Sequence, residues 1–329
     1  MRKKFFMILF LLNLIVGISI FAADKEAKSS HSNKKTIKFN GYIQGWFKAD
    51  FTEESTYSSF LVKRARLAAR SQLTSRVSFK FMVDFAQKEN ILLDAYADIK
   101  IKRNLSLRFG QYKTPFSRVN LRSASDLYLI ERPFYQKELT PPIRDIGFHL
   151  SLNQPKFQLT GGIFNGEGRT IADSDNIKNV SLRAVLHPIS ELNIAANIYF
   201  SPSKVADDMD RLNICGIDFH YQFSKLFLEW EVVSRQGGKT GNQRGLGFYL
   251  MGGANCPNNG IIRLEPIIRY ECFDSDTFEA GDKQWQLLAG INLYNKEGNV
   301  KLSLNLGHRS GGLIEGKINS LLFQLQVKF

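Results

Sequence analysis

Nine consecutive residues, Val62-Lys63-Arg64-Ala65-Arg66-Leu67-Ala68-Ala69-Arg70, hold four cations. Guanidinium groups grip oxyanions through paired, charge-assisted hydrogen bonds, so such a cluster points to the binding or passage of anions. Read with a period of two, Arg64, Arg66 and Arg70 share a face with Val62 and Ala68. Leu61, Ala65, Leu67, Ala69 and Lys63 share the other. In the segments that follow, Arg76, Lys80 and Arg108 fall on the matching polar faces, as do Asp84, Asp94 and Asp98. Arg64, Arg66, Arg70, Arg76, Lys80 and Arg108 are therefore expected to line one anion pathway. Asp94 and Asp98 are its expected acidic members, and some pairing between the two signs is expected.

Other chemistries find little support. The histidines are His31, His149, His187, His220 and His308. Asp218 and His220 share a strand face, but no G-x-S-x-G motif and no metal-spaced ligand set joins them. Phe164 to Arg169 is glycine-rich but lacks the Lys-Ser/Thr of a phosphate-binding loop. Cys215, Cys256 and Cys272 are odd in number and widely spaced, which suits neither a disulfide framework nor a metal site. A pairing of Cys256 with Cys272 across a loop stays open. No catalytic residue, metal or cofactor is expected, and the chain is not read as an enzyme.

The elements that must position these cations are strands. In Ser75 to Gln87, the apolar Val77, Phe79, Phe81, Val83 and Phe85 alternate with mostly polar neighbours. The same pattern recurs in Leu93–Ile101, Leu105–Phe109, Leu192–Phe200, Trp285–Leu293 and Leu321–Phe329. About sixteen such segments of roughly ten residues follow one another, the length of a tilted strand crossing a bilayer. A soluble β-sandwich or solenoid would also alternate. It would not run so many strands in one meander with short and long connections in turn. The arginines decide the inside from the outside. A midplane arginine facing lipid costs roughly 2–4 kcal/mol, and three would overwhelm a folding stability of about 5–15 kcal/mol. A water-filled lumen imposes no such cost. The fold expected is an all-β transmembrane antiparallel barrel over residues 37–329. Tyr42, Trp46, Tyr199, Tyr249, Tyr270, Trp285 and Tyr294 are expected to form its interfacial girdles.

The ends and the bulk agree. Residues 1–22 carry a basic start and an apolar run, as a secretory signal peptide does, and 23–36 read as a flexible periplasmic tail. A permanent helical anchor is the alternative for the run. The 329 residues carry a formal charge of +13 and a pI near 9.6. That charge suits nucleic acid, an anionic surface or small anions; export removes nucleic acid from the choice. The segment before the barrel is too short for the plug domain of an energised transporter. The closing run to Phe329 resembles the assembly signal of bacterial outer-membrane barrels, so the barrel assembly machinery is an expected partner.

Seven stretches resemble the phosphate-selective porin O and P family: VKRARLAARSQL (62–73), FMVDF (81–85), LLDAYADI (92–99), LRFGQYKTPFSR (107–118), LIERPF (129–134), RDIGFHL (144–150) and GGIFNGEG (161–168). The resemblance implies a sixteen-stranded barrel in the Gram-negative outer membrane, among its lipids and lipopolysaccharide, as a homotrimer. It implies a basic ladder leading phosphate-like anions, phosphate or polyphosphate, to a narrow central site. Lys63 and Arg64 match the family's basic pair, Arg66 and Arg70 extend it, and Asp94 matches an acid facing the path. In general porins the third loop folds into the barrel. Residues 115–143 are expected to do so here, with Arg118, Arg122, Arg132 and Lys137 at the constriction; an ordinary extracellular loop is the alternative. The tail is shorter and the inward lysines sparser than in the family. A general non-selective porin and a structural or adhesive barrel are the alternative functions.

Overall fold

The computed structural model describes residues 36–174, 176–202, 211–237, 243–256, 262–312 and 316–329. The expected signal peptide (1–22) and the expected tail as far as residue 35 lie outside the described residues. Among the described residues, sixteen antiparallel strands close into one barrel. They are β1 (Ile37–Phe51), β2 (Thr56–Gln72), β3 (Val77–Asp84), β4 (Leu92–Lys102), β5 (Leu105–Lys113), β6 (Arg144–Asn153), β7 (Phe157–Phe164) and β8 (Asn179–Leu186). The second half comprises β9 (Leu192–Pro202), β10 (Arg211–Phe223), β11 (Leu226–Gln236), β12 (Arg244–Ala254), β13 (Ile262–Asp274), β14 (Gln284–Asn295), β15 (Val300–Gly311) and β16 (Ile318–Lys328). Each strand pairs with its neighbours in sequence, and β1 pairs with β16, so no edge is left open.

Burial runs opposite to that of a soluble sheet. Along β8, Val180, Leu182 and Leu186 are exposed while Asn179, Ser181 and Arg183 are buried. The apolar side chains form the outer surface and the polar ones the inside, as lipid outside and water inside require. Connections at one end are short, such as 103–104 and 224–225; the other end carries 85–91, 114–143 and 165–178.

One irregularity changes the reading of the basic stretch. Gln44 pairs with Arg64, but Gly45 pairs with Val62, so Lys63 is an extra residue in β2, a β-bulge. Parity reverses across it. Val62 and Phe60 are exposed at 61% and 83%, whereas Leu61 packs against buried Trp46, Ile130 and Leu322. Lys63 was expected on the apolar face and Val62 on the polar one. The bulge exchanges them, and the Lys63 ammonium sits 4.9 Å from the centre of the Trp46 ring.

The third loop, 114–143, lies inside the barrel. It holds two single-turn helices, α1 (Arg118–Leu121) and α2 (Gln136–Leu139). Its Phe116, Leu129, Tyr135 and Leu139 join one apolar cluster with Ile214, Val233, Tyr249 and Leu288 of the inner wall. Glycines on that wall make the room. A Cβ at Gly247 would lie 2.6 Å from the Tyr135 ring, and one at Gly290 would lie 2.3 Å from Leu129. The expected aromatic girdle is corrected here. Tyr42, Trp46, Tyr199 and Tyr249 are buried inside the barrel, and the Tyr294 hydroxyl bonds inward to Glu265. Tyr270 is exposed and stacks on Trp285, with ring centroids 6.4 Å apart.

Candidate functional site

The inner wall is divided by sign. On β10, β11 and β13 the inward residues include Asp218, Glu229, Glu231, Glu265 and Glu271, all at most 3% exposed. The third loop covers them and supplies partners to four of them, while Glu265 accepts from Asn292 and Tyr294 of the wall itself. Arg122 makes two hydrogen bonds to the carboxylate of Glu229, one of 3.0 Å to Oε1. The Ser117 hydroxyl donates to Glu231 at 2.6 Å, and the Phe134 amide donates to Glu271 at 2.7 Å. Arg118 lies 3.5 Å from Asp218, which Arg183 also pairs. Burial works against the charge of Arg122, yet Glu229 outweighs it and holds the guanidinium above its usual range. The loop therefore takes an acidic wall out of contact with water.

The opposite wall, β1 to β6, borders open space. Three cavities of 740, 330 and 480 Å³ follow one another there, each sharing lining residues with the next. The first lies towards the long loops and includes Lys48, Lys63, Arg64, Arg132 and Lys137. The smallest, in the middle, is lined by Arg64, Arg66, Arg132, Arg144 and Arg169, with no acid among its described lining residues. The third lies towards the short turns and includes Arg66, Arg70, Lys80, Arg108 and Arg144. Cations line all three cavities, beside Asp50 and Glu131 in the first and Asp94 and Asp98 in the third, and make up half of the described lining of the smallest.

Their settings differ. Arg66 donates to Asp84 and to the Tyr42 hydroxyl, each at 2.8 Å. Asp94 is clamped between Lys80 and Arg144, the latter at 2.7 Å. Arg108 forks onto Asp98 at 2.7 and 2.9 Å and lies 3.9 Å over the Tyr96 ring. Among the described residues, Arg64 is held by Gln44 at 2.7 Å and by the Trp46 ring alone. Arg132 donates to the Val119 and Arg122 carbonyls at 3.1 and 2.9 Å. Burial, together with Arg64, Arg144 and Arg66 close by, pushes the Arg132 guanidinium down to about 9. Burial, then Arg144 and Arg66, lowers Arg169 as well. Cations that depress one another in this way form a site of strong positive potential.

Several expectations need correcting. Arg76 is in the turn between β2 and β3 and is exposed there, not on a strand of the wall. Arg118 and Arg122 tie the loop to the acidic wall instead of lining the passage; Arg132 and Lys137 do line it. Asp94 borders the third cavity but is only 3% exposed, so it orients two cations and presents little charge to the path. Sequence reasoning passed over Arg144 as a wall residue and missed Arg169. Arg169 reaches the middle cavity from 165–178, a loop pinned where Asp145 accepts the Gly166 amide at 2.6 Å and where Thr170 bonds Asn90 at 2.8 Å. The glycine-rich turn there was the signal available.

A closed barrel with an apolar exterior, a loop folded inside and a succession of cation-lined cavities defines an outer-membrane porin. The sequence model of the phosphate-selective porin O and P family matches residues 37–208, more than half of the chain, and the chain belongs to that family. The fold has close counterparts among solved structures. An anion-selective porin from Comamonas acidovorans superposes with a TM-score of 0.69 at 12% identity, over 90% of this chain and all of that one. The trimer form of OmpT from Vibrio cholerae gives 0.67 at 11% identity, over 90% and 99%. OmpF of Salmonella typhi, in complex with daunomycin, gives 0.66 at 12%, over 91% and 99%. No curated protein sequence matches the chain. Family and fold point to a channel in the Gram-negative outer membrane rather than to an enzyme.

Proposed function

We propose that the chain forms an anion-selective pore whose preferred cargo is phosphate-like. One observation carries this reading: the third loop buries the acids of β10, β11 and β13 and leaves the cations of β1 to β6 bordering the passage. A small anion entering from the long-loop end passes Lys48 and then meets Lys63 and Arg64. It then reaches the cavity shared by Arg64, Arg66, Arg132, Arg144 and Arg169, and leaves past Arg70, Lys80 and Arg108. Guanidiniums there replace lost hydration, and several sites in series let the ion move on.

In this reading residues 115–143 are the constriction loop, 1–22 are removed on export, and the pore works as a homotrimer, as the Vibrio cholerae relative's trimer form suggests. The test is the reversal potential of the purified protein in a planar bilayer under a KCl gradient, repeated with phosphate added. An anion-selective potential and block by phosphate are expected. Arg64→Ala combined with Arg66→Ala should reduce both. Anion selectivity without block would leave an anion porin with no phosphate preference. Equal permeability to both ions would leave a general porin, and the absence of any conductance would leave a structural barrel.

A further inference from the structure

The third cavity has two kinds of wall. Its cations include Arg70, Lys80 and Arg108 on β2, β3 and β5 and extend to Arg144 on β6 and Arg183 on β8, with Asp94 and Asp98 among them. Beside them runs a row of uncharged hydrogen-bonding groups, one per strand: Ser106 on β5 faces Ser151 on β6, which faces Thr160 on β7. Asn153 and Gln158 form the next row and line the same cavity. Ser151 and Thr160 share one hydrogen bond of 3.0 Å. Since each hydroxyl has one donor and two acceptor positions, the pair retains a donor and free lone pairs.

A second observation points to a ligand. Tyr112 and His149, 1% and 8% exposed, meet edge to face with ring centroids 4.9 Å apart and both line the cavity. Among the described residues, the Tyr112 hydroxyl and His149 Nδ1 have no hydrogen-bond partner. Buried polar groups are rarely left so, and such groups at a cavity wall suit a guest that brings its own hydroxyls. A bare inorganic anion would use the cations and leave this wall idle.

We propose that the third cavity is a binding site for phosphorylated polyols, such as sugar phosphates. The phosphate rests on the cations around Arg108, and the hydroxyls reach Ser151 and Thr160, which lie one and two strands across and two residues further along, roughly 8 and 12 Å away by strand geometry. The cavity's 480 Å³ falls within the roughly 300–1,000 Å³ of small-molecule sites. This rests on the reading of the pore as anion-conducting and gives it a larger cargo.

The test is block of the chloride current through the full-length protein by D-glucose 6-phosphate, inorganic phosphate and glucose, at a pH where both phosphates are dianions. Glucose 6-phosphate should half-block at about tenfold lower concentration than inorganic phosphate, equivalent to about 1.4 kcal/mol, and glucose should not block. Ser151→Ala with Thr160→Val should remove that advantage and leave block by inorganic phosphate in place. Tyr112→Phe, which deletes only the hydroxyl, should reduce it in part. Equal block by the two phosphates, or an advantage that survives in the double variant, overturns the proposal. The reversal potential of the same channels separates the two readings: anion selectivity without the advantage sinks the polyol site alone, and lack of anion selectivity without block sinks both.

Discussion

Arg122 and Glu229, 107 positions apart in the chain, close a two-toothed pair inside the barrel. Glu229 also accepts from the Tyr249 hydroxyl at 2.9 Å, so the pair ties the third loop to two strands of the acidic wall. Removing one partner of a buried pair costs about 3–5 kcal/mol. Arg122→Ala should therefore loosen the loop without opening the barrel, whose ladder it does not touch. Single-channel conductance should rise and anion selectivity should fall as Glu229 and its neighbours meet water. Unchanged conductance would show that the loop's apolar contacts suffice to hold it.

The same loop can be displaced by volume. Gly247 has no room for a side chain, because its Cβ would fall 2.6 Å from the Tyr135 ring. Overpacking of this kind costs about 1–3 kcal/mol. Gly247→Ala should raise conductance and current noise in the same direction as Arg122→Ala, with no charge altered. A quiet, normal channel would mean that the loop yields locally around Tyr135.

Arg64 and Arg66 should separate function from stability. Arg64 has no acid partner among the described residues, while Arg66 neutralises Asp84, which is fully buried. Arg64→Gln should lower anion selectivity and leave the melting temperature of the folded barrel unchanged. Arg66→Gln should lower both, since it strands a buried carboxylate. Equal melting temperatures in the two variants would contradict the pairing.

The passage should lose selectivity in alkali. Arg132 is displaced downward to about 9 by burial and by its neighbouring arginines. Its folded value lies below its unfolded one, so holding the charge costs stability below about 9, and that cost is relieved as pH rises through it. Functionally the sign is the reverse, because the charge that attracts anions is lost over the same window. Reversal potentials on either side of pH 9 should show anion selectivity falling in the wild type, with a shallower fall in Arg132→Gln. Bound phosphate should move the fall to higher pH.

Much of the fold was legible because lipid and water enforce a strict alternation. Leu192 to Phe200 state their outward face residue by residue, and Val77 to Phe85 do so except at Val83, which is buried. The basic wall followed from the cost of arginine in lipid. What failed had no local signature. The bulge at Lys63 is a matter of pairing with Gln44 and Gly45, and nothing within β2 announces it. Tyr42 and Tyr199 look like girdle residues in sequence, yet their rings serve the interior, where Tyr42 supports Arg66. Arg118 and Arg122 were read as pathway residues because their partners, Asp218 and Glu229, lie about a hundred residues further on. Only the closed barrel brings those acids opposite the loop.

The bulge in β2 also bears on how densely a strand can be charged. Regular alternation grants each face one side chain per two residues, a spacing of about 6.8 Å along the strand. By inserting Lys63, β2 presents Lys63 and Arg64 side by side to the same water, at about half that spacing. A barrel of fixed strand number thus gains linear charge density at its entrance without widening or adding a strand. The cost falls on the lipid side, where Phe60 and Val62 supply the grease that the displaced register demands.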